Sequence, residues 1–271
     1  MFRRKSIWLP DQERKAQIAS PPDKAPATFF GYQRIHEDEK GKRVISHFNT
    51  VARRYDLMNT ILSFGIHYLW KRTAVKMLKL KPGDRVIDLC GGTGDLTMVA
   101  GRSIGPTGGM VLYDINREMM IAGRDRVLSS PFGKQTVYVQ GDAEMIAFPD
   151  SSFDAAMVGF GIRNLTHVEK GFKEMYRVLK TGGKMMCLEF SKPSAPIFRW
   201  LYDLYSFYIM PFLGGLVVGS KEAYRHLPES IRVFPLPEEL TRLLENIGFH
   251  GVTHRKLTNG IAVVHLGEKR L

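Results

Sequence analysis

From about residue 45 the apolar positions become periodic. Phe48, Val51, Tyr55 and Met58 recur at helical spacing, and Leu69, Thr73, Met77 and Leu80 mark a second helix that stops before Lys81-Pro82-Gly83. β-rich runs follow at Arg85–Leu89, Met110–Tyr113, Thr136–Gln140, Phe153–Val158 and Gly183–Phe190. Between them, Asp95–Ser103, Arg117–Leu128 and Val168–Leu179 are long enough for crossover helices. Strand and helix in alternation predict an α/β fold with an open, largely parallel sheet. Toward the end, Pro237–Ile247 reads as a helix, and Gly251–Leu257 and Ile261–Leu266 read as strands joined at Asn259-Gly260, a hairpin signal. The chain shows no internal repeat.

Composition narrows the class. The 271 residues are 44% hydrophobic and 24% charged, an ordinary globular balance with length for one large domain or two small ones. Two cysteines, Cys90 and Cys187, suit a reducing compartment and cannot make a disulfide framework or a four-ligand zinc site. Lys and Arg number 39 against 27 Asp and Glu, a formal charge of +12. Such an excess fits an anionic partner or a merely solvated surface. Residues 1–54 hold 12 Lys/Arg and 6 Asp/Glu, so +6 of the total sits there. Pro10, Pro21, Pro22 and Pro26 with little apolar periodicity predict a disordered basic tail over residues 1–30. No apolar run follows Arg3-Arg4-Lys5 and Ile7-Trp8-Leu9, against a secretory signal, and Asp11 and Glu13 argue against a mitochondrial presequence.

The first strand runs into Asp88-Leu89-Cys90-Gly91-Gly92-Thr93-Gly94-Asp95, a glycine-rich turn between strand and helix. Such glycines let the backbone approach a ligand. A dinucleotide fingerprint needs a further glycine at position 97, where Thr97 stands, and no P-loop pattern occurs at this turn. The acidic–x–x–x–G–x–G arrangement resembles the S-adenosylmethionine loop of class I methyltransferases, with Asp88, Gly91 and Thr93 at cofactor positions. Asp114 ends the second strand, where a carboxylate can accept from both ribose hydroxyls; it could instead cap the helix beginning near Arg117. By the same resemblance Asp142 meets the adenine amino group and the backbone at Ala143 a ring nitrogen, with a plain turn aspartate as the alternative.

Two longer motifs are more specific. Tyr55-Asp56-Leu57-Met58-Asn59-Thr60-Ile61-Leu62-Ser63-Phe64-Gly65-Ile66-His67-Tyr68-Leu69-Trp70 resembles the first signature of the ubiquinone/menaquinone biosynthesis C-methyltransferase family. Arg177-Val178-Leu179-Lys180-Thr181-Gly182-Gly183, leading to Leu188-Glu189-Phe190-Ser191, resembles the second, with Thr181 in place of a proline. Asp114-Ile115-Asn116 and Phe160-Gly161-Ile162-Arg163-Asn164 lie between them in family order, and the similarity runs from about Phe29 to Lys269.

The resemblance implies a class I methyltransferase: a Rossmann-like seven-stranded sheet with a C-terminal antiparallel hairpin and a helical lid. It implies a tail over 1–30 and a methyltransferase domain over 31–271, with N-terminal helices in 31–80 and the lid in 191–234. The implied reaction moves the methyl of S-adenosylmethionine, without a metal, to a ring carbon of a polyprenylated quinol: demethylmenaquinol, 2-methoxy-6-polyprenyl-1,4-benzoquinol, or both. Arg163 is the family's proposed base, acting through water. A guanidinium is a poor direct base, so stabilising a developing phenolate suits it better. His67 and Asp56 are further candidates for proton handling, and Gly159 stands where the family often has a serine facing the cofactor.

The segment 191–234 packs Phe198, Trp200, Tyr202, Tyr205, Phe207, Tyr208 and Phe212 close together, and Leu204–Ser220 is uncharged for 17 positions. Pro211 and Gly214-Gly215 interrupt that run, which predicts a lid over the quinol or a buried helix pair rather than a transmembrane helix. A lipid substrate implies a cytoplasmic protein in peripheral contact with the inner face of a membrane, or a mitochondrial-matrix protein in a eukaryote. Nucleic acid is not expected as a partner, because Gly159–Asn164 replaces the Asn/Asp-Pro-Pro-aromatic motif of exocyclic-amine methyltransferases. A homodimer or a quinone-synthesis complex stays open.

Overall fold

The computed structural model describes residues 27–219 and 221–270. Most of the expected tail lies outside the described residues. Its end does not: Ala27–Phe30 form strand β1, paired antiparallel with β2 (Gln33–His36). Phe30 is held there by stacking on His226, a contact 196 positions away that local composition could not signal. Helix α1 (Glu37–Val51) follows, then a 3₁₀ turn at Ala52–Arg54, α2 (Tyr55–Leu62) and α3 (Ile66–Leu78). The periodicity from Phe48 to Met58 is therefore broken by a turn that keeps the apolar face aligned.

The sheet begins at β3 (Arg85–Leu89) and alternates with helices: α4 (Asp95–Ile104), β4 (Gly109–Asp114), α5 (Arg117–Leu128), β5 (Thr136–Gln140), β6 (Phe153–Gly159), α6 (Val168–Val178) and β7 (Leu179–Phe190). Leu179 pairs with Phe153 before a register shift, so β7 starts earlier than Gly183. Next come α7 (Pro196–Leu204), a π turn (Tyr205–Ile209), α8 (Met210–Val217) and α9 (Lys221–Val233), then α10 (Pro237–Ile247), β8 (Phe249–Leu257) and β9 (Ala262–Lys269). Pro237 opens α10, Glu239 accepts a hydrogen bond from Leu236 N, and Gly248 closes the helix at φ 115°.

Seven strands form one sheet in the order β5-β4-β3-β6-β7-β9-β8. The first five are parallel, and β9 pairs antiparallel with β7 and β8. Both faces of the central strands are buried. Val86 packs with Trp70, Ala74 and Leu78 of α3 on one face, and Ile87 and Leu89 pack with α6 and α10 on the other. The order reverses between β3 and β6, which opens a crevice at their carboxyl ends. A third cluster joins Val51, Met58 and Leu62 of the N-terminal helices to Met210 and Tyr224 of the 191–234 segment. That segment therefore packs on the N-terminal helices. Among the described residues, no helix is long and apolar enough to cross a membrane.

Candidate active site

The crevice begins with the turn after β3. Gly94 takes φ 83° at the start of α4, where a Cβ would stand 2.7 Å from Val127 Cγ2. Asp88 is almost fully buried, and its Oδ2 accepts from Thr97 N (3.0 Å) and Thr97 Oγ1 (2.7 Å). Thr97, which looked from the sequence like a missing glycine, is thus the partner of the turn's acid. Burial pushes Asp88 up to about 7 against those two bonds, and its Oδ1 has no partner among the described residues.

Asp114 accepts from Gly92 N at 2.8 Å through Oδ2 and from Asn116 N at 2.7 Å through Oδ1. The helix-capping alternative falls to its neighbour: Asn116 Oδ1 accepts from Met119 N at 3.0 Å and caps α5. Asp114 is free to face a cavity of about 110 Å³, and burial raises it to about 6. Asp142, Ala143 and Gly159 line the same cavity. Asp142 Oδ1 accepts from Glu144 N at 2.8 Å, an Asx turn that orients the loop. At Gly159 a Cβ would lie 2.5 Å from Leu96 Cδ1, the end of a side chain that would have to turn aside for a larger residue there. Asp88, Gly91 and Thr93 support the cavity from behind and do not line it.

Beside it lies a larger cavity of about 300 Å³, mostly apolar, between α1–α3 and α7–α9. Phe48, Tyr55, Phe160 and Asn164 line both, so the two spaces share one wall. Gly161 makes the junction compact, because a Cβ there would meet Cys90 Cβ at 2.3 Å. Two residues on, Arg163 enters the larger cavity. Its Nη1 donates to Glu189 Oε1 (3.1 Å) and Oε2 (2.9 Å) and to Phe160 O, its Nε reaches Ser230 Oγ at 3.4 Å, and its guanidinium stands 5.5 Å from the Phe190 ring centroid. Burial pushes the Glu189 carboxyl up, with the Arg163 charge acting in the opposite sense.

His67 also lines this cavity; its Nε2 stands 3.4 Å from Thr60 Oγ1, and burial with the Lys71 charge lowers it to about 4. Asp56 does not line the cavity. Its oxygens are held by Thr93 Oγ1 at 2.6 Å and Arg126 Nη1 at 3.1 Å.

Such a glycine turn, an acid after the second strand and a strand order reversing between them can hold a nucleoside beside an apolar chamber. A model of the ubiE/COQ5 methyltransferase family matches residues 36–269. The chain belongs to the ubiE/COQ5 methyltransferase family. Among its curated relatives, the ubiquinone/menaquinone biosynthesis C-methyltransferase of Pseudomonas aeruginosa (strain LESB58) is 46% identical over 91% of this chain and 96% of its own. That of Pseudomonas putida is 46% identical over 96% and 99%. The fold also matches solved methyltransferases. One from Thermotoga maritima, described as S-adenosylmethionine-dependent, aligns at TM-score 0.59 and 21% identity over 83% of this chain and 99% of its own. The Haemonchus contortus phosphoethanolamine N-methyltransferase 2, solved with S-adenosyl-L-methionine, aligns at 0.55 and 14% identity over 74% and 52%.

The fold is therefore that of a class I S-adenosylmethionine-dependent methyltransferase, and S-adenosylmethionine is its cofactor. The residues fit that group: Asp114 faces its cavity with an acceptor pair, and Asp88 keeps an orphaned buried oxygen behind the turn. Sequence reading passed over Glu189, His47, His226 and the Lys71–Asp95–Arg126 ion pairs. Glu189 stood inside the quoted Leu188-Glu189-Phe190-Ser191 motif, and an acid closing an apolar strand was a signal for a buried partner.

Proposed function

We propose that this protein methylates a ring carbon of a polyprenylated quinol, using the sulfonium methyl of S-adenosylmethionine, in menaquinone or ubiquinone biosynthesis. One observation carries the reading: a cavity that Asp114 and Asp142 line and a larger, mostly apolar cavity share the wall made by Phe48, Tyr55, Phe160 and Asn164. Its curated relatives of 44–46% identity are named for that biosynthesis.

In this reading Asp114 takes the ribose hydroxyls, Asp142 and the Ala143 backbone the adenine, Asp88, Gly91 and Thr93 shape the turn around the methionine part, and Gly159 faces the cofactor from the end of β6. When bound, S-adenosylmethionine supplies an electrophilic methyl whose carbon–sulfur electron pair stays on sulfur. The chain's own work is to orient the ring, exclude water and hold negative charge on the quinol oxygen. Arg163 does the last, as a fixed cation whose Glu189 partner locks its plane. It is not the base.

The 191–234 segment is the proposed lid. Phe64, Phe198 and Leu201 line the larger cavity and are exposed as well, giving the prenyl tail an apolar way out. Trp200, Phe212 and Leu216 continue that exposed surface on α7 and α8. Together with the +12 charge, this supports peripheral contact with an anionic membrane surface at its cytoplasmic face. The reading is tested with purified protein and labelled S-adenosylmethionine, offering demethylmenaquinol, 2-methoxy-6-polyprenyl-1,4-benzoquinol and RNA separately. Label in a quinol is expected. Label in RNA alone would overturn it.

A further inference from the structure

Two histidines from distant parts of the chain meet in the larger cavity. His47 on α1 and His226 on α9 both line it, with ring centroids 5.1 Å apart. Phe30 stacks on His226 at 3.8 Å and 15°, which fixes the plane of that imidazole. The Nδ1 of His226 is buried without a hydrogen-bond partner among the described residues. Behind it lies a small cavity of about 30 Å³, shared by His226 with Lys40, Arg163 and Ser230. A C-methylation of a quinol must remove a hydroxyl proton close to where Arg163 holds the oxygen. We propose that the His47–His226 pair is the proton acceptor of this reaction, and this rests on the quinol reading of the cavity.

Arg163 and Asp56 are poor acceptors, and His67, neutral like the pair and with its own buried Nδ1 partnerless among the described residues, is the competing imidazole that its own variant separates. Arg163 stays protonated and bonded to Glu189. Asp56 lies outside the cavity under Thr93 and Arg126. His67 lies in the field of Lys71 and Asp95, whereas Arg163 acts on both His47 and His226. Burial foremost, then the Arg163 charge, lowers His47 to about 4; burial foremost, then His47, Arg163 and Lys40, lowers His226 to about 3. Both are therefore neutral at pH 7 and able to accept. A phenolate forming in the same cavity reverses the local field and raises their affinity for the proton. The other charged or titratable groups near the pair are Glu229, which borders Gly31 beside His226, and the phenols of Tyr55, Tyr202 and Tyr224 in the cavity wall.

The protons balance as follows. The hydroxyl proton moves to an imidazole nitrogen and the O–H electron pair stays on oxygen, from which density reaches the carbon that forms the new C–C bond. The C–H bond of that carbon then breaks, its electrons restore the aromatic ring, and the oxygen regains a proton. One proton is released in all, and paired imidazoles can carry both transfers.

The test follows methyl transfer to a short-chain demethylmenaquinol anaerobically from pH 6 to 9.5. Wild type is compared with His47→Gln, His226→Gln, the double variant and His67→Gln, with thermal unfolding and S-adenosylmethionine binding measured alongside. Each single variant is expected to lose at least about tenfold in kcat at pH 6.5 and the double variant about 10²–10⁴-fold. The deficit should shrink as pH approaches the quinol's own ionisation near ~10, where no base is needed. A deficit equal at all pH values, no deficit, or a pH-dependent deficit confined to His67→Gln would overturn the proposal. If the double variant fails to fold, the single variants decide by the same criterion. A wild-type protein that methylates neither demethylmenaquinol nor 2-methoxy-6-polyprenyl-1,4-benzoquinol would instead overturn the quinol reading itself, and one that takes only the benzoquinol moves the same comparison to that substrate.

Discussion

Thr93 Oγ1 donates a 2.6 Å hydrogen bond to Asp56 Oδ1, tying the cofactor turn to the helix that carries Tyr55. Arg126 completes the tie, with Nη1 3.1 Å from Asp56 Oδ2 and Nη2 2.8 Å from Asp95 Oδ1 and 2.9 Å from Thr93 O. Lys71 closes it on α3, 2.5 Å from Asp95 Oδ2. Helices over the larger cavity are thereby anchored to the turn at the smaller one.

Asp56→Ala should therefore weaken cofactor binding and stability rather than alter proton transfer. A loss of about 1–2 kcal/mol in unfolding free energy is expected for the hydrogen bond and the partly exposed ion pair. Calorimetric binding of S-adenosylmethionine should weaken, while the pH dependence of kcat keeps its wild-type form.

Asp114 predicts a pH-dependent affinity. Its raised value, about 6, means it is protonated below that pH, and only the ionised form offers acceptors to both ribose hydroxyls. Binding of S-adenosylmethionine by calorimetry should be flat above about pH 7 and fall below pH 6, up to about tenfold per pH unit. Asp114→Asn should bind weakly and without that slope.

Asp88 predicts the opposite trend for the stability of the unliganded protein. Its folded value, about 7, lies above the unfolded carboxylate near ~3.9, so folding favours the protonated form. The contribution is present at acid pH and is lost as pH rises from about 4 through 7. The difference in unfolding free energy between Asp88→Asn and wild type should therefore move in favour of the variant over that window. A difference constant with pH would show that Asp88 is not neutral in the folded protein.

Removing Arg163 alone leaves Glu189 buried without its cation. Arg163→Ala should lose turnover and cost about 3–5 kcal/mol at neutral pH by chemical denaturation. Adding Glu189→Gln should restore part of the stability and none of the turnover. S-adenosylmethionine binding is expected to survive in that double variant, because neither residue lines the smaller cavity.

Trp200 and Phe212 are half or more exposed, so serine at both should change stability by no more than about 0.5 kcal/mol. Flotation with anionic vesicles should show weaker binding than wild type. Equal flotation would remove the lid from the proposed membrane contact.

The smaller cavity was legible in part, because its signals are local: of the residues read for the cofactor, Asp114, Asp142, Ala143 and Gly159 line it, while Asp88, Gly91 and Thr93 stand behind it. A strand, a glycine turn and an acid at the end of the next strand occupy fixed positions along the chain, and the parallel sheet brings Asp88, Asp114 and Asp142 to one edge. Asp56 was legible as a polar residue in a family motif, but its task was not. Whether a carboxylate handles protons or ties two elements together depends on Thr93 and Arg126, which only folding brings within reach. The basic tail, with part of the +12, lies mostly outside the described residues.

The linear order of apolar runs and turns was enough to predict an open, largely parallel α/β sheet, because hydrophobic period and turn chemistry act over a few residues, and the resemblance of the Tyr55–Trp70 and Arg177–Ser191 motifs pointed to the family that its model match shows. The larger cavity was decided by tertiary packing. Its walls come from α1, α3, α7 and α9, and His47 meets His226 only when β1 and α9 close over the sheet. Burial then supplies what sequence distance cannot encode: neutral imidazoles, a locked Arg163–Glu189 pair and carboxylates held above their usual range.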